Sequence, residues 1–406
     1  MSFKKVLSAA VALFVIAAMA GCSSASSPSS DSSAPADTSS GTSAAAPTGD
    51  PIIIGYVSAL SGDTALWGQA GLNGMMMAQD DINAAGGLLG RPVKVIGYDG
   101  MGQAADSVNA LNKLIDQEHI VVSVGTNFSS CNIPMASIAD AKQIPIIATA
   151  ASSPLVTVDE NGNLHPYSFR IGFIDPFQGK VMADYAYNKL NARKAAVITD
   201  VGDSYSTGIT DNLVQAFTDL GGQVVAKEQG HSGDNDFRAQ LSKIQASNPD
   251  ILFIPWIYKD VALIVKQARD LGITCQFMGG DGWDSQDLPG LAGDAINGGL
   301  YVSRPTFNNP DAVAFRDRYE QRFNITAESE CLFGYDAMMW IKQVIEEKNS
   351  ATPQDIRDGL ENTTSFDGLL GHMSIDPATH NPTRDAAIYQ IKDGQINYIE
   401  TYSVSQ

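Results

Sequence analysis

Cysteine and histidine are scarce in this chain, which contains four cysteines and five histidines among 406 residues. No two cysteines form a CxxC pair, and the histidines match no metal-ligand spacing, so neither a thiol redox centre nor a zinc site is expected. Cys131, Cys275 and Cys331 are too widely spaced to suggest a disulfide framework. We expect three unpaired or buried thiols, although one pair could bridge.

The sequence also lacks the motifs of common enzyme classes. It contains no glycine-rich phosphate loop, and residues 202–206 (GDSYS) lack the second glycine of a nucleophile elbow. No arrangement of a nucleophile and a base stands out. The sequence therefore predicts a protein that is not an enzyme and that needs no cofactor and no metal.

Basic residues are few, since 26 lysines and arginines stand against 45 aspartates and glutamates, for a formal net charge of −19. Nucleic-acid binding needs a basic face, so no nucleic-acid partner is expected. Hydrophobic residues make up 44% of the chain, which is ordinary for a soluble globular protein. The length after the N-terminal region is enough for two domains.

The N-terminal region has the layout of a secretory signal peptide. Two lysines precede an apolar run at residues 6–20, and small residues then lead to Cys22. This ending resembles a bacterial lipobox, which implies removal of residues 1–21, lipidation of Cys22 and a protein anchored to the outer face of the cell membrane. The alternative is an ordinary signal peptide with an incidental cysteine. Residues 22–50 hold little that could build a core and predict a disordered linker.

From residue 51 onward, apolar strands alternate with amphipathic helices. The predicted strands are at 52–57, 93–98, 120–124 and 144–148, then at 195–199, 223–226, 251–255 and 276–278. The predicted helices between them include 132–142 and 176–190, and a later one covers 334–348. Apolar strands separated by helices indicate parallel sheets covered on both faces, so we expect two α/β units of similar build. From residue 373 on, polar and apolar residues alternate and predict antiparallel edge strands.

Open parallel sheets bind ligands beyond the carboxyl ends of their strands, so the residues that follow each strand are candidates for a site. Ser129 begins a helix and either caps it or helps its free N–H groups to bind an anion. Asp281 stands between glycines after a strand, as a turn residue or as the counter-ion of a cationic group. Tyr205 either bonds a ligand or packs at a helix start. The aromatic residues at comparable places are Trp67, Phe128, Trp256 and Tyr258.

Five motifs in order give the chain a resemblance to one family. They are IIGYVSALSG (53–62), DDINAAGGLLG (80–90), KQARDLG (266–272), FMGGDGW (277–283) and GYDA (334–337). They resemble the branched-chain amino acid (Leu/Ile/Val-type) binding proteins of ABC importers, in the type I periplasmic-binding-protein family. The resemblance implies two Rossmann-like lobes joined by a three-crossover hinge. The implied lobes are 51–171 plus 302–364, and 172–301 plus 365–406.

The same resemblance implies a role for each matching residue. Ser129 would grip the α-carboxylate of a free amino acid. The backbone carbonyl of Ala150 and the carboxylate of Asp281 would meet its ammonium group. The hydroxyl of Ser152 would touch the ligand from the first lobe, and Tyr205 would reach it from the second.

For the ligand side chain, the resemblance implies a pocket with Trp67 as its cover. Trp256 and Tyr258 stand where the family often has Gly-Tyr-Tyr, and Phe128 replaces a smaller residue of some members. The aromatic pocket suits a branched-chain or other hydrophobic amino acid. We expect a monomer that delivers this amino acid to ABC transporter permease subunits. The alternatives are a sensory ligand-binding protein, or a binder of an aromatic acid, an amide or another small solute.

Overall fold

A computed structural model describes residues 46–404, in which strands and helices alternate along the chain. Its strands are β1 (Ile52–Ser58), β2 (Val93–Asp99), β3 (Val122–Val124), β4 (Ile146–Ala148), β5 (Ser168–Arg170), β6 (Lys194–Asp200), β7 (Gln223–Gly230), β8 (Ile251–Phe253), β9 (Gln276–Gly279), β10 (Leu300–Ser303), β11 (Phe366–Gly368), β12 (Gly371–Met373), β13 (Ala386–Lys392) and β14 (Gln395–Tyr402). Its helices are α1 (Ala65–Ala84), α2 (Ala104–Asp116), α3 (Ser129–Lys142), α4 (Asp175–Asp184), α5 (Ser204–Asp219), α6 (Arg238–Ser247), α7 (Tyr258–Asp270), α8 (Asp287–Ala292), α9 (Pro310–Phe323), α10 (Glu330–Lys348) and α11 (Pro353–Glu361).

The first lobe is built on a parallel five-stranded sheet with the strand order β2-β1-β3-β4-β5. Its central strands are short apolar runs, and Ile54, Val122 and Ile147 are fully buried because helices cover both faces of the sheet. Helices α1 and α10 pack closely on one another. A Cβ atom on Gly74 would lie 2.0 Å from the carbonyl oxygen of Cys331, so only glycine fits where these two helices meet.

The second lobe is built on a seven-stranded sheet with the order β14-β13-β10-β9-β8-β6-β7. Strands β6 to β10 run parallel. At one edge of the sheet, β13 pairs antiparallel with β10, and β14 pairs antiparallel with β13. The α/β class with two parallel-dominated sheets and the antiparallel C-terminal strands are therefore confirmed. The carboxyl ends of β3, β4, β8 and β9 lead into the loops that form the site described below.

The chain passes between the lobes three times. The first passage follows β5 and the second follows β10. The third comes later than the expected boundary at 364, because Phe366 and Ile375 still pack in the first core. The hairpin of β11 and β12 therefore belongs to the first lobe, and the chain rejoins the second sheet at β13.

Several helix bounds differ from the sequence expectation. Helix α3 begins at Ser129 and α10 at Glu330, three and four residues before the predicted positions. The first turns of both helices are largely buried, and in α10 they include the apolar residues Cys331, Leu332 and Phe333, which the sequence expectation left out. Helix α4 ends at Asp184, where a π-helical turn (Tyr185–Lys189) replaces the rest of the predicted helix.

The predicted signal peptide, the lipidated Cys22 and most of the predicted linker lie outside the described residues. The described end of that linker contacts the first lobe, since the N–H of Thr48 donates to the carbonyl oxygen of Gly90 at 2.9 Å. Cys131, Cys275 and Cys331 are free thiols. No helix within residues 46–404 combines the length and the apolar character needed to cross a bilayer.

Candidate functional site

A cavity lies between the two lobes, beyond the carboxyl ends of strands from both sheets. The first lobe lines it with Trp67, Asn127, Phe128, Ser129, Ala150 and Glu330. The second lobe lines it with Asp203, Tyr205, Ile257, Asp281 and Gly282. Open parallel sheets bind ligands at this position, so the cavity is the candidate site.

Helix α3 points its N-terminus at the cavity through Ser129. The Ser129 side chain does not cap the helix; its Oγ accepts the N–H of Ser153 at 3.1 Å. The N–H of Asn132 donates to the carbonyl oxygen of Phe128 and closes the first helical turn. Within residues 46–404 the N–H groups of Ser129 and Ser130 have no hydrogen-bond partner. The end of α3 therefore offers free donors and the positive end of the helix dipole to an anionic group.

Asp281 lines the cavity from the second lobe, and its carboxylate is paired with an arginine. Its Oδ2 accepts a hydrogen bond from Nη1 of Arg304 at 2.7 Å, and the two side chains are 5% and 2% exposed. Arg304 follows β10 in the second passage between the lobes, with its guanidinium over the rings of Phe173 and Phe333. The pair is therefore buried, and removing one partner would leave the other charge without compensation.

Two further side chains hold the turn that carries Asp281. Oε1 of Gln178 accepts the N–H of Asp281 at 3.0 Å, and the Tyr205 hydroxyl accepts the N–H of Gly282 at 2.8 Å. Burial raises the pKa of Tyr205 well above its ordinary value, and the nearby Asp281 charge acts in the same direction. The Tyr205 phenol therefore keeps its proton and remains a donor beside the cavity.

Contacts across the cleft join the rims of the two lobes. Nε1 of Trp67 in the first lobe donates to the carbonyl oxygen of Asp284 in the second at 3.1 Å. The Tyr258 hydroxyl donates to the carbonyl oxygen of Asp63 at 3.2 Å, and Nζ of Lys259 lies 3.0 Å from the Asp63 carboxylate. In the described conformation, the two lobes are therefore in contact at the rim of the cleft.

Buried acids surround the cavity. Burial raises the pKa of Glu330 to about 8, although the Arg304 charge acts in the opposite direction. Burial also raises the pKa of Asp203 to about 6, against the hydrogen bonds that its carboxylate accepts at the start of α5. Two of the three acids that line the cavity thus bind protons more tightly than they would in water.

The structure brings together six of the nine residues predicted for the site. These are Trp67, Phe128, Ser129, Ala150, Tyr205 and Asp281. Ser152 lies behind the wall, where its buried Oγ has no hydrogen-bond partner within the described chain. Trp256 donates to the carbonyl oxygen of Ile198 at 2.9 Å and packs edge-on against Phe237 in the second-lobe core. Tyr258 packs against Trp67 with ring centroids 5.0 Å apart.

Sequence reasoning missed four polar residues of the site region, Asn127, Asp203, Glu330 and Arg304. Asp203 follows β6, so its position after a strand could have revealed it. Asn127 directly precedes the predicted Phe128 in the same loop, so its position after a strand could have revealed it. Glu330 follows no such rule, since it begins a helix. Arg304 does follow a strand, because it comes directly after β10, the parallel neighbour of β9. Within residues 46–404 no group of histidine, cysteine and acidic side chains is arranged to hold a metal ion.

Comparisons with known proteins agree with this geometry. An amino acid binding protein of Pseudomonas aeruginosa is 32% identical over 242 residues, which cover 60% of this chain and 63% of that protein. A leucine binding protein of Thermotoga maritima has a structure with a TM-score of 0.80 at 30% identity, covering 86% of this chain and 98% of that one. A branched-chain amino acid transporter substrate binding protein of Streptococcus pneumoniae, solved in complex with isoleucine, gives 0.79 at 28% identity, covering 86% and 99%.

The sequence profile of the periplasmic binding proteins matches residues 51–395. This match spans both lobes and every element that lines the cavity. The chain belongs to the periplasmic binding protein family.

Proposed function

We propose that this protein is an extracytoplasmic lipoprotein that binds one free α-amino acid between its lobes and delivers it to an ABC importer. Membership in the periplasmic binding protein family supports a role in binding a small solute. The names of the similar proteins refer to amino acids, leucine and branched-chain amino acids. These names favour a branched-chain or other hydrophobic amino acid as the ligand here.

The observation that carries the proposal is the opposite polarity of the two walls. The first lobe offers the free N–H groups at Ser129, and the second offers the carboxylate of Asp281. A free α-amino acid carries a carboxylate and an ammonium group on one carbon atom. Each charge-assisted hydrogen bond in such a site is worth about 1.5–3 kcal/mol. A zwitterion that meets both walls therefore stabilises the closed arrangement of the lobes.

Asp281 keeps one oxygen for the ammonium group. Arg304 bonds to Oδ2, and Oδ1 has no hydrogen-bond partner among the described residues. The carbonyl oxygen of Ala150 on the opposite wall likewise accepts no hydrogen bond within the described chain. We assign both oxygens to the ligand ammonium, which leaves Arg304 to balance the charge of Asp281 while the site is empty.

The apolar walls of the cavity would receive the body of the ligand side chain. Trp67 and Phe128 have ring centroids 6.3 Å apart, and Ile257 faces the cavity from the second lobe. Burying aliphatic carbon against these walls contributes about 25 cal/mol per Å² of apolar surface. This contribution adds affinity for a hydrophobic side chain without reducing that of the head-group contacts.

Transport would follow from closure and from the anchor. The contacts of Trp67 and Tyr258 across the cleft exist only when the lobes are closed, so a ligand that bridges the walls shifts the population towards that form. We propose that the permease recognises the closed form of a monomer. A lipid on Cys22 would hold the protein at the outer face of the membrane, and this part of the proposal depends on the lipobox in the sequence.

A thermal-shift screen against the twenty amino acids, followed by calorimetry, tests the proposal. We expect at least one α-amino acid to raise the melting temperature and to bind with micromolar or better affinity. Its analogue with a hydroxyl in place of the α-ammonium should bind at least tenfold more weakly. Benzoate serves as the control for an aromatic-acid binder. Absence of binding by every amino acid, or equal affinity for the hydroxy analogue, would overturn the proposal.

A further inference from the structure

Glu330 is a buried acid that faces the cavity without a partner. It begins helix α10 in the first lobe, lines the cavity and is 5% exposed. Within the described chain, its carboxyl group forms no ion pair and no hydrogen bond of ordinary geometry. Buried polar groups in native proteins nearly always have a partner, so this exception calls for an explanation.

A second unpartnered group lies beside it. Asn127 lines the same cavity and is 9% exposed, and its Oδ1 accepts a hydrogen bond from Ser58 at 2.6 Å. Its Nδ2 is buried and has no hydrogen-bond partner among the described residues. The amide is near enough to Glu330 to lower the pKa of that carboxyl against the effect of burial. A carboxyl and an amide thus form a polar corner on the first-lobe wall.

The other acids near this corner already have partners. Asp281 pairs with Arg304, and Asp284 accepts a hydrogen bond from the Ser303 hydroxyl at 2.8 Å. Glu328, two residues before Glu330, accepts the N–H of Gln286 with both oxygens at 3.1 Å. None of the described residues that line the cavity is a lysine, an arginine or a histidine. A ligand side chain that brings a hydrogen-bond donor to this corner would therefore give Glu330 a partner in addition to the nearby Asn127 amide.

We propose that the preferred ligand is an α-amino acid whose side chain carries a hydrogen-bond donor, such as a hydroxyl, an amide or an amine, and that Glu330 selects it. This inference rests on the proposed binding of an α-amino acid, and it departs from the hydrophobic side-chain class that the names of the similar proteins favour. The stem of the side chain would lie against Trp67 and Phe128, and its donor would reach the polar corner. A purely aliphatic side chain would leave both Glu330 and Asn127 buried without partners.

Isosteric ligand pairs give a sharp test, because the two members of a pair differ in polarity and little in shape. Threonine is paired with valine, asparagine with leucine, and lysine with 2-aminoheptanoic acid, each titrated into the ligand-free protein by calorimetry. A site built around a hydrogen-bonding group rejects an analogue that lacks it far more strongly than a hydrophobic pocket rejects an added hydroxyl. We therefore expect the donor member to bind at least tenfold more tightly than its isostere in at least one pair.

Variants of Glu330 test whether this residue causes the preference for the donor member of a pair. Glu330→Leu should reduce the preference in that pair at least tenfold or invert it, and Glu330→Gln should retain part of it. Glu328→Gln is the matched control, since this acid is equally buried but does not line the cavity; it should leave the ranking unchanged. If Glu330→Leu fails to fold, the ranking of ligands by the wild type and by Glu330→Gln still tests the role of Glu330.

The outcomes separate this inference from the proposed function. Amino acids that bind with the aliphatic member preferred in every pair would overturn the inference and leave the proposed function standing. A donor preference that survives unchanged in Glu330→Leu or Glu330→Gln would also overturn it. Absence of binding by every amino acid would overturn both.

Discussion

The two walls of the cavity differ in how they provide charge. The first-lobe wall offers an anion the free backbone N–H groups at Ser129, which do not titrate and need no counter-ion. The second-lobe wall presents the Asp281 carboxylate, which is buried and is held by Arg304. The free N–H groups of the first-lobe wall stay in place when the Ser129 hydroxyl is removed. The cation-binding wall depends on an ion pair whose disruption affects both binding and folding.

The largest effect is expected from breaking the second wall. Asp281→Ala should abolish binding of α-amino acids, because the ligand ammonium and Arg304 would both be buried without their anion. Removing one partner of a buried ion pair costs about 3–5 kcal/mol. Isothermal calorimetry checks the loss, and retained micromolar affinity would contradict the assignment of Asp281 to the ammonium.

A double variant separates the binding role of Asp281 from its structural role. Replacing Arg304 with methionine in the Asp281→Ala background removes the unpaired charge and should recover much of the lost thermal stability. Binding should stay absent, since the ammonium still lacks its anion. Recovery of both stability and affinity would show that Asp281 serves only the fold.

Breaking the first wall should have a smaller effect. Ser129→Ala removes one hydroxyl but leaves the N–H groups of α3 in place, so the affinity for an α-amino acid should fall by about 1–3 kcal/mol. The same change leaves the N–H of Ser153 without its acceptor. Ser130→Ala, the neighbouring serine that does not line the cavity, is the control for calorimetry. Equal affinities for the two variants and the wild type would remove Ser129 from the binding site.

The sequence predicts most of this fold because its strands are short, continuous apolar runs. Parallel strands covered by helices on both sides bury every side chain, and runs such as β8 and β4 therefore stand out without any knowledge of the tertiary structure. Turn residues that follow such strands form the site by topology alone, which is why Ser129 and Asp281 could be identified. The third passage between the lobes could not be placed, because β11 and β12 are short and polar.

The parts of the site that resist sequence analysis depend on contacts between distant segments. Arg304 meets Asp281 because β10 lies beside β9 in the second sheet, and the two residues follow the carboxyl ends of these parallel strands. Trp256 follows a strand, as a site residue would, yet its ring fills the second-lobe core against Phe237. Strand position alone does not say which way a side chain points when the loop turns back towards the sheet.

The pH dependence of the free energy of unfolding tests the raised pKa of Glu330 on the first-lobe wall. Burial raises the pKa of this carboxyl from 4.5 to about 8 in the folded protein. Between these values the folded state holds a proton that the unfolded state has released, so the free energy of unfolding falls as the pH rises. Glu330→Gln removes this dependence. The ligand-free variant should therefore melt at a higher temperature than the wild type at pH 8.5 and at nearly the same temperature at pH 5. A difference that does not change with pH would contradict the pKa assigned to Glu330.

The smallest effect is expected at the rim, where the lobes touch through exposed charges. Lys259 and Asp63 lie 3.0 Å apart across the cleft, but their side chains are 41% and 93% exposed. Exposed ion pairs contribute about 0.2–1 kcal/mol and are screened by salt. Lys259→Ala should weaken ligand binding by less than about fivefold at low salt, because the pair exists only in the closed form. The difference from wild type should vanish in 1 M salt by calorimetry. A larger, salt-independent loss would mean that closure depends on the rim as much as on the two walls.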